Sequence, residues 1–159
     1  MALSDYANRR YDFLALQNVS PDIETQLGLE LFDKAGKSQI CVGVQKLAQR
    51  WLLEFLTERG SMTGLPDRGC NFMTLVRQGR LRSQSDVTIA FSFAAYDVRT
   101  ALAREEDDTW PADERISNAE LLSVAFLPGY ANLRVNIVSR AGTTRAIILP
   151  VATLPQTIN

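Results

Sequence analysis

A chain of 159 residues, 46% apolar and 22% charged, suits one domain that buries roughly two thirds of its unfolded surface. Seventeen Lys and Arg against eighteen Asp and Glu leave a net charge of −1, so there is no electrostatic case for nucleic acid or an anionic membrane. Histidine is absent and Cys41 and Cys70 are the only cysteines, which excludes Ser-His and Cys-His mechanisms and a disulfide framework.

No apolar run is long enough to span a bilayer, and the first thirteen residues lack the pattern of a secretory signal, so a cytoplasm-like setting is expected. Residues 1–22 are polar, with Tyr6, Tyr11, Phe13 and Leu14 scattered among them, and read as an arm that docks on something. Leu27, Leu29 and Leu31 alternate ahead of Asp33-Lys34-Ala35-Gly36, the chemistry of a hairpin turn, although so short a run also suits a helix lead-in. Residues 1–40 are therefore read as an N-terminal arm with a short hairpin.

Residues 44–70 organise the chain. Val44, Leu47, Ala48, Trp51, Leu52, Phe55 and Leu56 recur at steps of three and four, which predicts a helix over 42–59 with one wide apolar stripe. Gly60 suits its stop. Glu54 and Glu58 fall on the flank away from Trp51 and Phe55, and read as an exposed face with Arg50 and Glu54 paired one turn apart. An irregular loop holding Pro66, Gly69 and Cys70 follows, then a helical turn over 71–78 that ends at Gly79. Ser83 or Ser85 can cap a second long helix reaching about Glu106, with Val87, Phe91, Ala94, Val98 and Leu102 as its stripe and Ala90, Ala95 and Ala101 beside it.

The acids at 105–108, with Trp110 and Pro111, end that helix and read as a solvated terminus. Three β-rich runs come next, over 121–127, 133–138 and 146–151, separated by Pro128-Gly129 and by Ala141-Gly142-Thr143-Thr144. Leu133, Val135 and Ile137 alternate with Arg134, Asn136 and Val138, a half-buried pattern. The prediction is a single α+β domain over 41–152: two long amphipathic helices followed by a three-stranded antiparallel sheet with an exposed edge. Residues 153–159 are a polar tail.

Ser61, Ser83 and Ser117 have no histidine to activate them, and glycines 60, 64 and 69 do not form a phosphate loop. No catalytic, cofactor-binding or metal-binding residue is assigned, and no enzyme is expected. The alternative kept is a peptidoglycan hydrolase working with two carboxylates, Glu106 and Glu114. A three-stranded sheet must end in edges, which are either blunted, here by Arg134, Arg140 and Arg145, or used to add a partner's strand. Leu133, Val135, Ile137, Ala146, Ile148 and Val151 are the candidate edge residues for such a partner.

The motif order around the loop resembles a family. Leu56-Thr57-Glu58-Arg59-Gly60 followed by Pro66-Asp67-Arg68-Gly69-Cys70 is similar to the L-T-x-x-G and P-x-x-G-[CT] signature of the baseplate wedge subunit, or tail-sheath initiator, of contractile phage tails. Asp113-Glu114-Arg115-Ile116 stands where that family carries E-P-R ahead of its strands, with Glu114 in place of proline. The resemblance covers residues 44–151 and makes Leu56, Thr57, Gly60, Pro66, Gly69, Cys70, Glu114 and Arg115 the motif positions. It implies a non-catalytic role in the tail baseplate of the virion, assembled in the host cytoplasm, with six copies around the tail tube. The implied partners are the sheath protein, other wedge proteins and the tube, with sheath strands added to the small sheet. Some relatives carry a lysozyme-like label. Another tail ring component, a terminator or connector, is the nearer alternative.

Overall fold

The computed structural model describes residues 9–14, 16–18, 27–29 and 40–152. Among the described residues four short strands precede the first helix. β1 (Asp12–Phe13) pairs antiparallel with β4 (Ile40–Cys41), and β2 (Leu16–Asn18) pairs with β3 (Leu27–Leu29). A hairpin forms, but Leu27 and Leu29 pair backward with 16–18. Leu31 and the turn expected at 33–36 lie outside the described residues.

Helix α1 (Gly43–Leu56) buries Leu47, Ala48, Trp51, Leu52 and Phe55 completely. It stops three residues before the predicted end. The Thr57 backbone N–H and hydroxyl both donate to the Leu53 carbonyl, at 3.0 and 2.7 Å, and Thr57 turns extended. Gly60, at φ 81°, sits in the loop beyond and does not terminate the helix.

Helix α2 (Phe72–Arg77) is followed by Gly79 at φ 64°, a left-handed position that suits glycine. Helix α3 (Gln84–Glu105) begins at Ser83, whose hydroxyl accepts from the Asp86 N–H at 3.1 Å while Asp86 Oδ2 accepts from the Ser83 N–H at 2.9 Å. That reciprocal box names Ser83, not Ser85, as the cap. Val87, Phe91, Ala94, Val98 and Leu102 are buried as predicted, with Ala90 and Ala95, whereas Ala101 is only half-buried. Trp51, Phe55, Phe72 and Phe91 bring the three helices together, with Phe55 4.7 Å from Trp51, 4.8 Å from Phe72 and 5.6 Å from Phe91 between ring centroids. Among the described residues no helix is long and apolar enough to cross a membrane.

A 3-10 turn (Ala112–Glu114) leads into β5 (Ile116–Leu127), β6 (Tyr130–Ser139) and β7 (Thr144–Ala152), an antiparallel meander in the order β5-β6-β7. The chain is thus α+β, and the three strands are longer than the β-rich runs that announced them. Pro128 and Gly129, the latter at φ 84°, close the first turn in two residues. Leu133, Val135 and Ile137 on β6, with Ile147, Leu149 and Val151 on β7, face the helices and are buried.

This topology corrects the edge assignment. Leu133, Val135 and Ile137 lie on the central strand, paired on both sides and fully covered, so they cannot receive a partner's strand. Val151 is on the edge strand but points into the core. Ala146 and Ile148 alone of the six lie on an edge strand with their side chains on the open face.

Candidate functional site

The motif residues gather in two places. The first is the neck of the loop between α1 and α2. Thr57 O accepts from the Cys70 N–H at 3.0 Å, and Cys70 O accepts from the Arg59 N–H at 3.1 Å, giving a parallel bridge between Glu58 and Cys70. Gly69, at φ 84°, passes so close that an added Cβ would stand 2.2 Å from the Thr57 carbonyl oxygen. Only glycine fits there.

Glu54 completes the neck and overturns its reading as an exposed residue. It is buried: Oε1 accepts from the Gly69 N–H at 2.7 Å and Oε2 pairs with Arg68 Nε at 2.9 Å. Arg50 does not pair with Glu54; it reaches Glu106 at 3.3 Å and Glu105 at 3.6 Å. Glu58 is the half-buried member of that flank and accepts from Thr74 and Arg77, which hold its carboxyl below the ordinary range. The Cys70 thiol donates to the Phe55 carbonyl at 3.1 Å, and burial pushes it up to about 11. Thr57, Gly69 and Cys70 therefore meet, Leu56 packs against the core beside them in the chain, and Gly60 and Pro66 stay out in the exposed loop with Met62 and Leu65.

The second gathering is the start of the sheet. Glu114 is 1% exposed; Oε2 meets Lys46 Nζ at 2.7 Å and Oε1 accepts from the Gly43 N–H at 3.1 Å. Helix α1 has neither a side-chain cap at Val42 nor an acid in its first turn, so Glu114 supplies from outside the charge that a helix N-terminus favours. The arm docks on the same cluster. Lys46 Nζ donates to Arg10 O at 2.6 Å, Arg9 pairs with Asp113 at 2.7 Å, and Gln49 donates to Phe13 O at 2.8 Å. Arg115 pairs with the exposed Asp108 at 2.8 Å, and its carbonyl accepts from the Arg140 N–H at 2.9 Å.

Glu106 departs from the solvated terminus expected of 105–108. Its side chain is fully covered and accepts from the Ile116 N–H at 2.9 and 3.1 Å, beside Arg50. Burial pushes its carboxyl above the ordinary range, against the pull of Ile116 and Arg50. Trp110 lies over Arg50, 4.4 Å from guanidinium carbon to ring centroid. Glu105, Asp107 and Asp108 are exposed as expected. The two carboxylates considered for glycan hydrolysis, Glu106 and Glu114, are thus both engaged as structural acceptors, with side chains 0% and 2% exposed.

The sheet has two unlike edges. β5 breaks register at Ile116/Asn118 and again at Leu121/Ser123, whereas β7 pairs with β6 residue by residue from Thr144 to Ala152. Pro150 lies in β7, and a proline in an edge strand turns its missing N–H outward. Residues of the same parity, Thr144, Ala146, Ile148 and Ala152, then direct their backbone N–H and C=O away from β6. β3 lies next to β7 without pairing with it. Of the three arginines expected to blunt the edge, Arg134 is on the central strand and Arg140 in the turn, leaving Arg145 on β7.

Comparison of the chain with protein-family models, with curated proteins and with solved structures finds no match in any of the three.

Proposed function

We propose that the chain is a structural subunit of a contractile phage tail baseplate, present in six copies around the tail tube. It templates the tail sheath by taking strands of the sheath protein onto the edge of its C-terminal sheet. Its partners are the sheath protein, the other wedge proteins and the tube, and its place is the virion baseplate, assembled in the host cytoplasm.

The observation that carries this reading is β7, a nine-residue edge strand in unbroken register whose outward backbone row meets no paired strand among the described residues. Two features of the resemblance support it. Thr57, Gly69 and Cys70 meet in one neck, and Glu114 ties the start of the sheet to the start of α1. Both are arrangements that stiffen a platform, as a template requires. The buried carboxylates Glu106 and Glu114 have no free face to offer a glycan.

The test is Ile148→Pro in tail assembly. It removes an outward N–H and leaves the β6–β7 ladder intact. The expected outcome is a folded protein on which sheath fails to start. A folded Ile148→Pro protein that still yields full-length sheath overturns the reading.

A further inference from the structure

Helix α3 has two apolar faces. One is the core stripe; on the opposite side run Asp86, Ile89, Phe93, Tyr96 and Thr100, spaced three and four apart. Ile89, Phe93 and Tyr96 on that row are 59%, 72% and 60% exposed. A surface helix ordinarily carries a single apolar stripe, and large exposed side chains gathered on a second one mark an interaction face. The alternation is that of the a and d positions of a helix-pairing seam.

We propose that this face pairs with the same face of a second copy of the chain, the two α3 helices running antiparallel. The row is bounded by opposite charges: Asp86 in the first turn, and the exposed Arg104 in the last. Parallel helices would set Asp86 on Asp86 and Arg104 on Arg104. Antiparallel helices bring each Asp86 to Arg104 of the second copy, and oppose the two helix dipoles favourably.

In that register Phe93 faces Tyr96 of the second copy and Ile89 faces its Thr100, giving two symmetric aromatic layers at the centre. A crossing of about 20° keeps both ends of the helices within reach. Asp86 Oδ2 is held at the end of the face by the N–H groups of Arg82 and Ser83, at 3.2 and 2.9 Å. The Arg82 charge shares the field of that carboxylate, so the ion pair selects the register and the apolar row drives association.

At 72% and 60% exposed, Phe93 and Tyr96 leave roughly 260 Å² open per copy, taking about 200 Å² for a whole aromatic side chain. The aromatic pairs of both copies thus supply about 520 Å², less than half of the about 1,200 Å² at which specific interfaces begin, so the flanking residues must contribute as well. The dimer is therefore weak, with a dissociation constant on the order of tens of micromolar. It is a state of the free chain before any ring forms, and stands or falls independently of the sheath reading.

Sedimentation equilibrium of the full chain across about 1–200 μM, a range set by that weak affinity, tests it, with circular dichroism to check each variant's fold. Wild type is expected to pass from monomer to dimer, and Phe93→Glu to weaken association at least about tenfold. Arg104→Glu should weaken it severalfold. A geometric test does not touch the capping box. Ile89→Cys/Thr100→Cys places two thiols about 16 Å apart on one helix, too far to bridge within a chain. It should close a covalent dimer on mild oxidation, while Ile89→Cys alone should not. A monomer at every concentration, a dimer indifferent to Phe93→Glu, or a dimer that the double cysteine variant fails to trap each overturns the proposal.

Discussion

The neck of the 57–70 loop and the outer edge of β7 treat their backbone in opposite ways. At the neck the groups of Thr57, Arg59, Gly69 and Cys70 are answered inside the chain, one of them by the buried carboxylate of Glu54. Along β7 the row turned away from β6 has no paired strand among the described residues. A closed arrangement loses folding free energy when disturbed, because a buried polar group without its partner is costly. An open edge loses only what docks on it. Substitutions should therefore separate stability from assembly according to which region they strike.

The largest effect belongs to the neck. Gly69→Ala forces a Cβ against a backbone carbonyl at a left-handed φ, and should cost about 4 kcal/mol in urea unfolding. A variant that unfolds like wild type would mean the neck is not closed in this way. Glu114→Gln comes next. It leaves Lys46 buried without a countercharge and takes the charge from the start of α1, for about 3 kcal/mol. Replacing both partners, Lys46→Met/Glu114→Leu, should recover part of that loss, and a double variant worse than the single one would contradict the pairing.

The thiols give a pH signature. Burial raises Cys41 and Cys70 from 9.0 to about 11, so the folded chain keeps these protons longer than the unfolded one. The stability this adds is complete below pH 9 and is lost as pH rises from 9 toward 11, roughly 2 kcal/mol for each thiol. Thermal unfolding across that range measures it, and a flat profile would place the thiols at the surface. The smallest effect on stability sharpens the comparison most. Ile148→Pro should cost about 1 kcal/mol or less, because its N–H lies on the outward row. A loss as large as that of Gly69→Ala would show that this N–H belongs to the β6–β7 ladder.

Local rules read much of the fold correctly. A serine cap at 83 or 85, the α3 core stripe and the succession of three β runs rest on contacts within a few residues or on strict periodicity, both visible in a linear chain, while the reciprocal bond with Asp86 chose Ser83. Glu54 and Glu106 look like surface in the sequence and are buried, for the complementary reason. Glu54 finds its N–H donor 15 residues on, Arg50 meets Glu106 across 56, and Gly43 meets Glu114 across 71. At helix spacing each acid looks like ordinary surface, because burial of a charge depends on partners that only packing supplies. The second face of α3 left a signal, Ile89, Phe93 and Tyr96 at seam spacing, but the stronger core stripe absorbed the reading of that helix.

By itself the sequence determined the succession of helices followed by three β runs, narrowed the α3 cap to Ser83 or Ser85, and set which stripes face inward, because propensity, capping and periodicity act over one or two turns of chain. Strands β1, β2 and β4 and the first five residues of β5 left no such local pattern. Tertiary structure decided that β6 is central and β7 an edge, that Thr57 ends α1 ahead of Gly60, and that Glu54, Glu106 and Glu114 are buried acceptors. Those outcomes depend on which distant backbone groups and charges arrive together, and no local pattern records that.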